Sequence, residues 1–238
     1  MRQSRIVLAA LLVLALVLPL AAQEQLPSRL HEPFSVDSLW SQLTTGNGAY
    51  EAGALRFTEI NKARERTAGK QEPPVTVLSC ADSRVPPELV FYQGIGELFV
   101  VRVAGNVADT FGIASIEYAI AHHWTKMIVV LGHERCGAVI EALKDVEPGT
   151  PALIALVHRI RESFTKLPPG KKDDAARIRA AVIANAKASA DYLVENSDVI
   201  GKAVRSGDVG VVVAYYPMVK RDGIGKVERI PWKIPPPK

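Results

Sequence analysis

Val75-Thr76-Val77-Leu78, Leu98-Phe99-Val100-Val101 and Met127-Ile128-Val129-Val130-Leu131 are short, nearly unbroken apolar runs. A strand with one wet face alternates apolar and polar residues, so these runs predict strands buried on both faces, as in a parallel sheet covered by helices. Between the second and third runs, Ile113, Ile116, Ile120 and Trp124 fall on one helical face. That segment is long enough for a right-handed crossover. Val209 to Tyr215 reads as a fourth strand, and Asp222-Gly223-Ile224-Gly225 as a hairpin turn into Val227–Ile230. Helices are expected from about Ser35, over Tyr50 to Lys70, and from Thr150 to Ser206, with breaks at Pro168-Pro169-Gly170 and Asn196-Ser197-Asp198. The Ala-rich stretch with Val182, Ile183, Ala186 and Leu193 reads as packing surface. The 238 residues suit one α/β domain, placed at 35–230 with an arm at 23–34 and a Pro-rich tail at 231–238. Its expected architecture is a mainly parallel central sheet flanked by helices.

Arg2 and Arg5 precede an apolar run, Ile6 to Leu18, which ends near Pro19-Leu20-Ala21-Ala22. The run is too short to span a bilayer comfortably, and small residues at its end suit processing. Residues 1–22 are therefore expected to be a signal peptide, leaving a periplasmic or secreted protein without a membrane span; a retained amphiphilic anchor is the alternative reading. Cleavage would take two arginines and no acid, lowering the formal charge from +4 to +2. The remaining charges are mixed in sign along the chain, without the basic stripe and interleaved aromatics that nucleic-acid binding favours.

Two cysteines in an exported chain can be read as one disulfide. Their neighbours offer a different reading. Cys80 closes the first apolar run, and His133 and Cys136 follow the third. The carboxyl ends of parallel strands are where ligand groups distant in sequence meet. His133-Glu134-Arg135-Cys136 lets an imidazole and a thiolate from one turn address the same ion. Two cysteines and one histidine suit a catalytic zinc site, which keeps a position for water and lowers its pKa from about 15.7 to about 7. In Cys80-Ala81-Asp82-Ser83-Arg84, a guanidinium can grip a carboxylate beside the metal. Held by Arg84, Asp82 can orient the metal's water; released, it can become a fourth ligand. A plain turn ion pair is the other explanation.

Cys80-Ala81-Asp82-Ser83-Arg84, Val101-Arg102-Val103-Ala104-Gly105-Asn106 and Gly132-His133-Glu134-Arg135-Cys136-Gly137 resemble, in order, three signatures of the β-carbonic anhydrases. The similarity extends over roughly residues 36–230. It implies hydroxide generated at zinc attacking carbon dioxide to give bicarbonate, with a proton leaving to buffer. By the resemblance, Cys80, His133 and Cys136 are zinc ligands, Asp82 and Arg84 form the catalytic dyad, and Ser83, Val85, Gly105 and Gly137 shape the pocket. It also implies active sites at the interface of a homodimer, often within a homotetramer. Family members inhibited by bicarbonate carry a tryptophan where this chain has Val77, although Arg102 is retained. That regulatory pocket is expected to be incomplete, and the zinc site to be open above about pH 8.

The sequence leaves three alternatives: hydrolysis of carbon disulfide or carbonyl sulfide, a zinc-stabilised scaffold permanently closed by Asp82, and a Cys80–Cys136 disulfide protein. His122 and His123 read as solvated residues at a helix end rather than proton shuttles, and Glu134 and Arg135 as facing solvent.

Overall fold

The computed structural model describes residues 30–237 apart from 33, 56–59, 145, 148, 166, 168, 172 and 219–224. The expected signal peptide, most of the expected arm and residues 222–224 of the expected hairpin turn lie outside the described residues. In chain order the elements are α1 (Val36–Glu51), α2 (Ile60–Thr67), β1 (Val75–Ser79), α3 (Pro87–Val90), β2 (Leu98–Arg102), a 3-10 turn (Ala104–Asn106) and α4 (Thr110–Ala121). They continue as β3 (Met127–His133), α5 (Gly137–Ala142), α6 (Pro151–Arg161), α7 (Ala175–Asn196), α8 (Asp198–Ser206), β4 (Gly210–Tyr216) and β5 (Glu228–Ile230).

Among the described residues these strands form one sheet in the order β2-β1-β3-β4-β5, with β5 antiparallel and the rest parallel. Every residue of β1 and β3 is buried, as their unbroken apolar runs predict. Each buried Val, Leu or Ile contributes about 1.5–3 kcal/mol relative to exposure, so these two strands anchor the core. Helix α4 packs on β1 and β2, whereas α7 packs on β3 and β4. Gly132 permits the latter approach: a Cβ there would stand 2.8 Å from Val182 Cγ1.

Local chemistry starts the helices where the strands leave off. Ser35, Asp109, Thr150, Asp174 and Ser197 each accept a backbone N–H of the helix they cap. Ser197 alone separates α7 from α8. The stretch read as one helix from Tyr50 to Lys70 is divided instead: Tyr50 and Glu51 finish α1, and the chain turns at Ala52-Gly53 before α2. Helices α3 and α5 are too short to leave a periodic signal.

The order of the strands selects one end of the sheet. After β1 the chain moves to β2 on one side; after β3 it moves to β4 on the other. The connections diverge between β1 and β3, opening a crevice at their carboxyl ends.

Candidate metal centre

Cys80 directly follows β1, His133 ends β3, and Cys136 caps α5; all three are buried. A tight turn returns Cys136 to the crevice. In it the Glu134 N–H donates to the Tyr216 carbonyl, and exposed Arg135 takes a left-handed φ of 52°. Glu134, expected to face solvent, is half-buried and its carboxylate accepts the Met218 N–H. A backbone donor displaces water there because β4 runs alongside the turn.

The imidazole and the two sulfurs bring their ligand atoms within 4.8 Å of one another. Cys80 and Cys136 are free thiols with sulfurs 3.9 Å apart. Two Zn–S bonds of about 2.3 Å at a tetrahedral angle would place sulfurs about 3.8 Å apart. His133 Nδ1 lies 3.0 Å from the Glu134 carbonyl, which can only accept, so Nδ1 carries the proton. Its Nε2 is buried without a hydrogen-bond partner among the described residues. A backbone acceptor that fixes the tautomer and leaves the other nitrogen free is the usual support of a ligand histidine. The donor set suits zinc.

The two sulfurs differ in their backbone donors. Cys80 Sγ accepts from the Gly105 N–H at 3.2 Å. Cys136 stands at the N-cap of α5 without a capping bond to its sulfur, though the nearby amides of Ala138 and Val139 pull its thiol down against larger upward pushes. Without a cation, the Cys136 thiol donates to Cys80, which holds Cys80 below the ordinary thiol range, while that shared proton and burial raise Cys136. A divalent cation lets both sulfurs ionise.

Asp82 is gripped at both oxygens. Arg84 Nε donates to Oδ1 at 2.9 Å and Nη2 to Oδ2 at 2.6 Å, and the Arg84 backbone N–H adds a bond to Oδ1 at 3.0 Å. These side-chain bonds chiefly hold the carboxyl well below the usual carboxylate range, against a smaller upward push from burial. Asp82 Oδ2 lies 3.9 Å from His133 Nε2, within the centre yet committed to Arg84. Arg102, at the end of β2, donates Nε to the Cys80 carbonyl and Nη2 to the Asp82 carbonyl, clamping the loop from behind.

Gly105 reaches the centre through its N–H. Ser83 is exposed in the Asp82–Arg84 turn, Val85 is buried below it, and Gly137 opens α5 at the surface. Val77 is buried in the middle of β1. His122 and His123 are exposed at the end of α4, where His122 Nδ1 approaches the Tyr118 carbonyl. One contributor had no motif to announce it: Asn185 of α7 donates Nδ2–H to the Gly105 carbonyl at 2.6 Å. Its only trace is an amide amid the apolar positions Val182, Ala186 and Leu193.

A buried Cys-His-Cys triad at the switch point of a parallel sheet, with a gripped carboxylate beside it, gives an α/β protein with a donor set consistent with zinc. The sequence model of the carbonic anhydrase family matches residues 75–223, and the chain belongs to that family. It is 34% identical over 197 residues to carbonic anhydrase 2 of Mycobacterium tuberculosis, covering 79% of this chain and 94% of that one. Among solved structures, a Coccomyxa β-carbonic anhydrase in complex with acetazolamide superposes with a TM-score of 0.63 at 26% identity, over 82% of this chain and 87% of that one. A tetrameric β-carbonic anhydrase from Sordaria macrospora shares the fold, with a TM-score of 0.61 at 23% identity over 82% of this chain and 97% of that one. The reaction is reversible hydration of carbon dioxide to bicarbonate and a proton.

Proposed function

We propose that this carbonic anhydrase is zinc-dependent, with Cys80, His133 and Cys136 as ligands and Asp82 and Arg84 as the catalytic pair. The observation that carries the reading is the convergence of three ligand atoms, from the ends of two strands and a helix cap, at spacings that fit tetrahedral zinc. Bound there, zinc supplies a Lewis acid that lowers the pKa of a coordinated water to about 7.

The chain's own residues do the rest. The Arg84 fork keeps Asp82 ionised and holds both carboxylate oxygens away from direct coordination. A second lone pair of Asp82 can then accept the proton of the attacking water and aim its oxygen at carbon dioxide. Arg102 fixes the carbonyls of Cys80 and Asp82, so ligand and acceptor move as one unit. Adding water to carbon dioxide yields bicarbonate and one proton, which leaves to buffer. The permanently closed scaffold requires Asp82 to exchange Arg84 for the metal, and the observed grip opposes it.

The proposal extends to setting. The segment 1–22 supports export, making the enzyme periplasmic or secreted, and no described helix is long and apolar enough to cross a membrane. The tetrameric Sordaria relative supports a homo-oligomer, dimeric or tetrameric. Zinc analysis followed by stopped-flow carbon dioxide hydration between pH 6.5 and 9 tests the mechanism. Activity should track zinc content and rise with pH; zinc-loaded protein inert at every pH would overturn it.

A further inference from the structure

The face that α7 turns to the core carries Ile178, Val182, Ala186 and Leu193, and among them Asn185 is only 2% exposed. A buried amide costs stability unless it is hydrogen-bonded, and sheet or helix packing alone does not call for one there. Its Nδ2 donates to the Gly105 carbonyl at 2.6 Å, across 80 residues of sequence. That carbonyl belongs to the 3-10 turn after β2, where Gly105 and Asn106 both have left-handed backbone, with φ of 65° and 47°. On the other side of the same Cα, the Gly105 N–H donates to Cys80 Sγ at 3.2 Å. Ile160 closes the remaining space, standing 2.8 Å from where a Cβ on Gly105 would lie. Gly105 is thus held through its carbonyl by Asn185 and delivers its amide to the sulfur.

We propose that Asn185 is a positioning residue for the metal centre: by anchoring the Gly105 carbonyl it keeps the Gly105 N–H on Cys80 Sγ, and so sets how much charge that thiolate donates to the metal. The inference rests on Cys80 being a zinc ligand, as proposed above. An N–H donor stabilises charge on sulfur. Losing it makes the thiolate more electron-rich and less firmly oriented. Supporting bonds of this kind change metal affinity by roughly 10–100-fold.

The test uses the full chain with cobalt(II) in place of zinc, comparing the parent, Asn185→Ala, Asn185→Asp and Asn47→Ala. Asn47 is a buried control whose amide bonds Val90 and Val227, outside the centre. The sulfur-to-cobalt charge-transfer band should move to longer wavelength in both Asn185 variants and stay in place in Asn47→Ala. Zinc affinity, measured by chelator competition, should fall roughly tenfold in the Asn185 variants. An unmoved band in folded, cobalt-loaded Asn185 variants overturns the proposal, as does an equal shift in Asn47→Ala. If neither Asn185 variant folds, the parent loaded with cadmium-113 decides. Scalar coupling between the metal and the Gly105 amide proton is expected, and its absence overturns the proposal. A parent that takes up cobalt without thiolate bands refutes the zinc reading itself, and the inference with it.

Discussion

The two sulfurs of the centre are supported in contrasting ways. Cys136 draws on its own neighbourhood: it stands at the N-cap of α5, and the amides of Ala138 and Val139, two and three residues on, favour its thiolate without bonding its sulfur. Cys80 draws on distant chain. Gly105 supplies an N–H from beyond β2, Asn185 holds Gly105 from α7, and Arg102 clamps the loop carbonyls. A helix start makes its donors as a by-product of backbone geometry, whereas a loop after a strand must import them. The Cys136 side should therefore tolerate change that the Cys80 side does not.

Removing either sulfur should erase the contrast, because both are proposed ligands. Cys80→Ser and Cys136→Ser should each lower zinc content and reduce kcat/KM by more than the roughly 100-fold that supporting residues reach, measured by metal analysis and stopped-flow hydration. Retained zinc and activity in one of them would remove that cysteine from the centre. Arg84→Met acts on the Cys80 side alone. It frees Asp82 and should cost roughly 10–100-fold in kcat/KM while zinc stays bound, which separates orientation from metal retention.

Glycine substitutions sharpen the comparison through stability. Gly105→Ala forces a left-handed alanine and a Cβ against Ile160, and should cost about 2–4 kcal/mol in denaturant unfolding. Gly137→Ala, with nothing within 4 Å of its Cβ at the start of α5, should stay within about 0.5 kcal/mol. Equal losses would show that both loops depend on long-range packing.

The smallest effect serves as a blank on α7. Burial raises the Asp191 carboxyl above its usual range, against the bond from Trp232 Nε1 at 2.7 Å. A raised folded-state value means that protonation favours the folded form. This contribution is present at pH below the unfolded value and is lost as pH rises through the folded one. Asp191→Asn should therefore gain about 0.5 kcal/mol at most at neutral pH, after solvent screening, and the gain should vanish only as pH falls below the ordinary carboxylate value of about 3.9. Its hydration activity should match the parent; a loss would mean that α7 reaches the centre by routes other than Asn185.

Legibility followed the same division. Unbroken apolar runs announced β1 and β3, because a strand buried on both faces needs no polar position; the same reading of β2 found a strand but overstated its burial, since β2 is half-buried at the edge of the sheet among the described residues. Cys80, Asp82 and Arg84 were readable together because they lie within five consecutive residues and the Arg84–Asp82 bonds join positions two apart. Glu134 was misread, since its partner Met218 lies 84 residues away and no local pattern encodes that meeting. Asn185 drew no reading, since its acceptor lies 80 residues away and no local pattern marks it.

By itself the sequence determined the strand-rich parallel core, the three donor types and the carboxylate–guanidinium pair, because burial periodicity and short-range geometry are written locally. Only the tertiary structure decided that β1 and β3 are neighbours with diverging connections, that the sulfurs stand 3.9 Å apart, and that Gly105, Asn185 and Arg102 converge behind Cys80. Those relations depend on strand order and helix packing, in which each contact is set by the collective close packing of the core rather than by the residues adjoining it in the chain.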